Sequence, residues 1–361
     1  MDVEGKINVI KSFAQEVLTE GELRNLFETN EHPLAYDGFE PSGLAPIHFG
    51  LLRAKNVNKM LEAGIRFRLF LADYHAFINN KLGGDLEQIK MAGEYFVEVW
   101  KACGIDTNRV EITWASDLMD GIKYWDRFMR IGKVASLERI KRAITIMGRK
   151  EGEKLSTAQL FYPPMQVTDI FEMDIDICQL GMDQRRAHVL AREIADKYKW
   201  KKPVAVHHPL MLGLRGMPKE INIKSAPELA IEYKMSKSNP RSAIYMNDSY
   251  ATIKEKVNAA YCPEGVVDGN PLLNFLQLAL LDDLNERITI ERPQKFGGGL
   301  EVEGYNELIK MYENGKLHPA DLKEFVIERL ENVIKPVREH FEKDKHAKGL
   351  YELVKSYQIT R

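Results

Sequence analysis

The sequence predicts an α/β protein in two parts, a domain built on a parallel sheet with helices on both faces, then a mainly α-helical domain. Three observations predict it. Apolar segments of strand length alternate with amphipathic helical ones over the first two thirds of the chain, the pattern of strand–helix–strand units. From about Tyr250 helical patterns continue without such strands, broken at Pro263, Pro271, Pro293 and the glycines 297–299. A chain of 361 residues also exceeds what one hydrophobic core usually serves.

Taken in order, residues 1–30 place Ile10, Phe13, Val17, Leu23 and Leu26 at helical spacing, with Thr19 and Glu22 spaced as a capping box before a second helix. This segment, 1–32, is expected to be a helical brace. From Tyr36 to Leu51, Gly38, Pro41, Gly43 and Pro46 break regular structure, and a helix follows to Ala63, ended by Gly64. Ile65–Ala72 reads as a buried strand, completing a β-loop-α-β unit. Further strands are expected at Val110–Trp114, after a helix from Leu86 to Cys103, at Met173–Leu180, and at Pro203–His207. Leu137–Lys150 gathers Arg139, Lys141, Arg142, Arg149 and Lys150 on one helix, which fits a solvated face or a nucleic-acid or subunit contact.

Composition narrows the class. A formal net charge of −2 with 29% charged residues describes a globular protein and argues against one that coats nucleic acid with its whole surface, so any RNA contact is local. Cys103, Cys178 and Cys262 lie far apart without C-x-x-C spacing, which suggests neither a disulfide framework nor zinc and fits a reducing cytoplasm. Asp2, Glu4 and Lys6 interrupt the N-terminus and no apolar run reaches membrane-spanning length, so neither a signal peptide nor a membrane contact is expected.

Four stretches carry chemistry. His48 and Gly50 stand at a helix start, where free N–H groups and the helix dipole favour phosphate. Lys234-Met235-Ser236-Lys237-Ser238 is a cationic loop suited to a polyphosphate. If a helix starts at Tyr162-Pro163-Pro164, Gln166 and Asp169 share one face with Tyr162 one turn earlier; the same residues fit a cap followed by a surface Gln and Asp. Gly181-Met182-Asp183-Gln184-Arg185-Arg186 sits where a strand turns into a helix, the usual ligand edge of a parallel sheet.

In order along the chain, FEPSG with a downstream HFG, ADYHA, YPPMQVTDI, GMDQRRAH, KMSKS, AYCPEGVVDGNP and KLHPADLK resemble the tyrosyl-tRNA synthetases of archaeal and eukaryotic type. The resemblance covers nearly the whole chain. It implies a Rossmann-type catalytic domain at 33–222 with dimerisation helices inserted near 115–160. The KMSKS loop and linker would occupy 223–249, an α-helical anticodon-binding domain 250–361, and the protein would be a homodimer. It implies ligation of L-tyrosine to tRNA(Tyr) with ATP as substrate and Mg2+ accompanying the ATP, without a dedicated protein metal site.

The resemblance assigns residues as well. Tyr36 and Asp169 would hold the substrate phenol as hydroxyl donor and carboxylate acceptor, and Tyr162, Gln166 and Gln184 would surround its ammonium. Gly38, His48, Gly50, Gly181, Asp183, Lys234 and Lys237 would meet ATP, with His48, Lys234 and Lys237 as the catalytic set. Arg142 and Arg185 would lie near the acceptor end of the tRNA, and Phe296, His318 and Asp321 at the anticodon. Read without the resemblance, Phe296 is a core residue and His318 a helix N-cap. One departure is visible: Leu51 replaces the second histidine of the HIGH-like element. Two other readings are a tryptophan-specific relative, disfavoured because indole offers only a donor to Tyr36 and Asp169, and a noncatalytic RNA-binding derivative, disfavoured by the intact KMSKS.

Overall fold

The structure is a computed structural model that describes residues 1–149, 152–217, 232–235, 240–292 and 294–358. Strands Glu16–Leu18 (β1), Leu34–Phe39 (β2), Arg66–Leu71 (β3), Val110–Trp114 (β4), Ile177–Gly181 (β5) and Val204–His208 (β6) form one sheet in the order β1-β6-β5-β2-β3-β4. β2 to β6 are parallel, and β1 runs antiparallel along the edge of β6. The N-terminal segment is therefore more than a helical brace. Two helices, Val3–Lys11 (α1) and Glu20–Thr29 (α2), flank a three-residue strand whose register, Glu16 opposite His207, covers an otherwise open sheet edge. The capping box of Thr19 and Glu22 opens α2 as expected.

Gly38, read as a structure breaker, lies inside β2. A side chain there would meet Phe70 and Tyr36 at ordinary contact distances of 3.5 and 3.6 Å, so the strand passes through it without a turn. β2 pairs with β3 along its whole length but with β5 only at Ala35–Ile177 and Tyr36–Cys178. Beyond Tyr36 the two central strands part. This is also where the connections reverse, to β3 and β4 on one side and β5 and β6 on the other, and ligands of parallel sheets sit in that crevice.

Helices cover both faces of the sheet. Arg53–Glu62 (α3), entered through a wide turn at His48–Leu52, Asp73–Ile78 (α4) and Leu86–Ala102 (α5) follow β2 and β3. Val57, Met60, Phe96, Val99 and Trp100 of α3 and α5 share a core with Ala35 and Phe39. After β4 come Ala115–Met119 (α6), Ile122–Val134 (α7), Leu137–Ala143 (α8), Thr157–Glu172 (α9) and, after β5, Arg185–Tyr198 (α10). Val167 and Ile170 of α9 and Leu190 and Ile194 of α10 pack against Tyr36, Cys178 and Leu180 on the opposite face.

Three expected element boundaries also differ. The basic helix expected over Leu137–Lys150 stops at Ala143 and tightens into a turn at Ile144–Met147; Lys150 lies outside the described residues. The strand expected from Met173 begins at Ile177, because Asp174 takes a left-handed conformation (φ 52°) that turns the chain out of α9. α9 starts at Thr157 rather than at Tyr162, since Ser156 and Gln159 close a capping box ahead of it. Pro163 and Pro164 thus lie inside the helix, where each lacks a donor, and the segment around them is buried.

The C-terminal half is helical, with Tyr250–Asn258, Tyr305–Glu313, Pro319–Lys343 and Lys345–Ser356 as its main helices. It also holds an antiparallel hairpin, Arg287–Ile290 (β7) with Leu300–Glu303 (β8), where helices alone were expected. This half packs onto α5: Tyr95 meets the rings of Phe341 and Tyr351 at 5.4 and 6.4 Å, and Glu98 pairs with His340 at 2.9 Å. No described helix is long and apolar enough to cross a membrane.

Candidate active site

The parted strands divide the site into two sides. Tyr36 and Cys178 face α9, whereas Asp37 and Gln179 face α3. On the α9 side, Tyr36, Tyr162, Gln166 and Asp169 are all at least nine-tenths buried. Helical spacing sets the last three on one face, as expected, although the helix begins earlier. Asp169 Oδ1 accepts from the Tyr124 hydroxyl at 2.8 Å, and its Oδ2 lies 3.1 Å from His75 Nε2. His75 in turn meets the Tyr162 ring edge-on at 4.8 Å. Gln166 Nε2 donates to Gln184 Oε1 at 3.2 Å, and Gln184 Nε2 donates to the Ile146 carbonyl at 2.9 Å.

Several polar atoms of this side are buried without a hydrogen-bonded partner, among them the Tyr36 hydroxyl, Gln166 Oε1, Asp169 Oδ2 and both ring nitrogens of His75. Each such group costs about 1–3 kcal/mol. Burial holds the Tyr36 and Tyr162 hydroxyls well above their usual pKa, so both stay protonated and able to donate. The side thus offers a donor with a neighbouring carboxylate at one end and oxygen acceptors at the other.

The α3 side is charged. Asp37 is fully buried 3.2 Å from Arg53, and burial raises its carboxyl to about 7 against the pull of that guanidinium. Arg53 also lies on the His208 ring, whose Nδ1 meets Gln179 Nε2 at 2.7 Å; burial, then Arg53, hold His208 neutral. His48, at the wide turn, is near enough to His208 to disfavour its protonation. Lys234 forms an ion pair with Asp183, joining the start of the KMSKS loop to the end of β5. Burial alone would raise Asp183, but Lys234 and Arg53 outweigh it and keep its carboxyl below the usual range. Lys237, with Ser236 and Ser238, lies outside the described residues.

The glycines expected at the nucleotide differ in setting. At Gly181 a side chain would come within 2.6 Å of Asp183 Oδ1, so glycine is what lets that carboxylate fold back over the strand end. At Gly50 it would come within 2.7 Å of Met246, so the turn is sealed from behind and only its backbone can meet a phosphate. Gly38 lies on the Tyr36 face of β2. Among the described residues no group of three or more His, Cys, Asp or Glu could hold a metal ion.

Residues expected at RNA lie elsewhere. Arg142 is exposed at the end of α8, where its carbonyl accepts from Arg186, and with Arg139, Arg186 and Glu193 it lines a cleft of about 420 Å3. Arg185 pairs with Glu16 at 2.9 Å. His318 caps the helix Pro319–Lys343 through Nδ1, which accepts from the Ala320 amide at 3.1 Å; Asp321 stands in its first turn, and Phe296 ends the short turn Gln294–Phe296. Sequence reasoning gave no role to Tyr124, His75, Asp37, Arg53 or His208. Only His75 carried a signal, its place in ADYHA at the end of a strand.

Comparison with known proteins identifies the family. The family model of class I tRNA synthetases (W and Y) matches residues 28–335. The chain is 42% identical over 363 residues to tyrosine–tRNA ligase 1, cytoplasmic, of Arabidopsis thaliana, covering all of this chain and 90% of that protein. It is 43% identical to the tyrosine–tRNA ligase of Sulfurisphaera tokodaii, over 95% of this chain and 94% of the other. The crystal structure of the Pyrococcus horikoshii tyrosyl-tRNA synthetase complexed with L-tyrosine superposes with a TM-score of 0.91 at 40% identity, over 99% of this chain and 100% of that one. An Aeropyrum pernix tryptophanyl-tRNA synthetase shares the fold, with a TM-score of 0.69 at 18% identity. The chain belongs to the class I tRNA synthetases of the tryptophan and tyrosine family, and within it to the tyrosyl-tRNA synthetases of archaeal and eukaryotic type.

Proposed function

We propose that this chain is a tyrosine–tRNA ligase whose amino-acid pocket is the α9 side of the crevice and whose ATP site is the α3 side. The observation that carries the assignment is the buried pair of Tyr36 and Asp169, a free hydroxyl beside a carboxylate, at one end of a pocket that ends in the unpartnered Gln166 Oε1. A phenol hydroxyl satisfies such a pair as donor to Asp169 and acceptor from Tyr36. Phenylalanine leaves both unmatched, and indole offers only a donor. Tyr162, Gln166 and Gln184 then present oxygen acceptors to the ammonium.

In the first step an oxygen of the tyrosine carboxylate attacks the α-phosphorus of ATP. The Pα–O bond to the β-phosphate breaks, and pyrophosphate leaves with that electron pair. The carboxylate is already ionised, so no base is needed, and orientation with electrostatics supplies the acceleration. His48, the wide turn, Lys234 and Lys237 would hold the phosphates, with Mg2+ accompanying them. Lys234 exchanges Asp183 for phosphate, which frees Asp183 for the ribose side. In the second step the terminal ribose hydroxyl of tRNA(Tyr) attacks the activated carbonyl carbon; the C–O bond to the α-phosphate breaks, AMP leaves with that electron pair, and the hydroxyl proton passes to the departing phosphate. Arg142 and Arg185 would meet the acceptor end, and the helical half from 250, through Phe296, His318 and Asp321, the anticodon.

A homodimer is supported by an apolar face on the inserted helices. Ile122 and Met129 are 82% and 66% exposed, and a cleft of about 530 Å3 between Tyr74, Trp125 and Phe161 lies on the same face. A cytoplasmic setting is supported by the likeness to the cytoplasmic tyrosine–tRNA ligase of Arabidopsis thaliana. The pocket is tested by Asp169→Ala. Losing a charge-assisted hydrogen bond should narrow the preference for tyrosine over phenylalanine by about tenfold to a hundredfold in exchange kinetics. An unchanged ratio would remove Asp169 from recognition.

A further inference from the structure

The wide turn that carries His48 and Gly50 is entered through Ala45-Pro46-Ile47, and that entrance is gripped from two sides. On one side run residues 244–248, which follow the KMSKS loop in the chain. The Ile47 amide donates to the Ile244 carbonyl and the Met246 amide to the Ala45 carbonyl, both at 2.9 Å, so Pro46 and Tyr245 form an antiparallel bridge. The segment lies along the entrance as a strap, with Met246 behind Gly50. On the other side stands α5. Its Trp100 ring nitrogen donates to the Phe49 carbonyl within the turn at 3.0 Å, and its Tyr95 hydroxyl accepts from the Ala45 amide at 3.4 Å. The same hydroxyl donates to Asn247 Oδ1 of the strap. Tyr95 is fully buried, and burial keeps the hydroxyl protonated, so it accepts from the entrance while donating to the strap.

The strap is also held from the helical half. Arg338, on the helix Pro319–Lys343, donates to the Asp248 carbonyl at 3.0 Å and is aimed by Glu331 at 2.6 Å. Asp248 Oδ2 accepts from Lys256 at 2.6 Å and from the Tyr245 amide at 2.9 Å. The Tyr95 ring packs on Phe341 and Tyr351 of that half. A phenylalanine would serve that packing equally well, so what the tyrosine adds is its hydroxyl, shared between the entrance and the strap.

We propose that Tyr95 is a positioning residue for adenylate formation: its hydroxyl, together with the strap 244–248 that Arg338 holds, sets the place of the nucleotide-binding turn and ties that place to the helical half. This rests on the tyrosine–tRNA ligase reading, which puts the ATP phosphates on the turn. The competing role is packing alone, in which the hydroxyl is dispensable to the reaction.

The unmodified protein is assayed first for tyrosine-dependent pyrophosphate exchange; no exchange there would overturn the ligase reading itself, before any variant is made. Tyr95→Phe keeps the ring and removes the hydroxyl. We expect the exchange kcat to fall about tenfold and the KM for ATP to rise, with tyrosine binding measured at equilibrium without ATP unchanged. Parental kcat and KM values per folded active site, whatever the change in melting temperature, would overturn the proposal, and so would equal weakening of tyrosine and ATP. Arg338→Gln should act in the same direction, and the double variant should lose less than the product of the two single losses, because both act through one strap. Losses that simply multiply would overturn the tie to the helical half. Should Tyr95→Phe not fold, Asn247→Ala, which removes the acceptor of that hydroxyl, is read the same way.

Discussion

Asp37 shows how a single residue records the environment of the site. Burial raises its carboxyl from an ordinary value near 3.9 to about 7, even with Arg53 beside it. An acid whose folded-state pKa lies above its unfolded one stabilises the fold fully below the unfolded value, and that contribution is lost as the pH rises through about 7. Asp37→Asn should abolish this dependence, so urea unfolding of the variant, relative to the parent, should improve between pH 4 and 7 and level off above. Parallel stability curves across that range would show that Asp37 ionises normally. The sequence could not expose Asp37 or Tyr124, because nothing local marks a residue whose partner lies far along the chain. Tyr162, Gln166 and Asp169 were legible because one helix fixes their mutual placement, and Asp183 because it follows a strand end.

At the scale of elements, period and capping carried most of the fold. β4 and α5 fall where their apolar patterns end, and Thr19 with Glu22 marked α2 correctly. The misplaced elements are those where a local signal pointed away from the tertiary outcome. Pro163 and Pro164 suggested a helix start, yet the Ser156–Gln159 box begins α9 earlier and burial retains the prolines inside it. β1, with three residues, and the β7–β8 hairpin, with four in each strand, are too short to declare a period of two against helical neighbours. Since α9 carries Tyr162, Gln166 and Asp169, its cap is separable from its chemistry. Ser156→Ala should lower stability by about 1 kcal/mol and speed exchange of the amides nearest Ser156, leaving the tyrosine-to-phenylalanine ratio unchanged. Undisturbed stability would mean that the cap does not hold the helix start.

Over the whole molecule, the parting of β2 from β5 is what gives one chain two neighbouring sites of opposite character. Even residues of β2 turn toward α9 and line a buried pocket that pairs the Asp169 carboxylate with neutral acceptors; odd ones turn toward α3 and line a charged cluster closed by Lys234. The helical half is bound to the same core through α5, so an RNA spanning both halves meets a continuous body. The central claim is that these two sides receive tyrosine and ATP together. Amino-acid-dependent exchange of labelled pyrophosphate into ATP, run with tyrosine, phenylalanine and tryptophan, tests it most directly: exchange should proceed with tyrosine and fall to background with the other two, whereas comparable exchange with phenylalanine, or none with tyrosine, would contradict it.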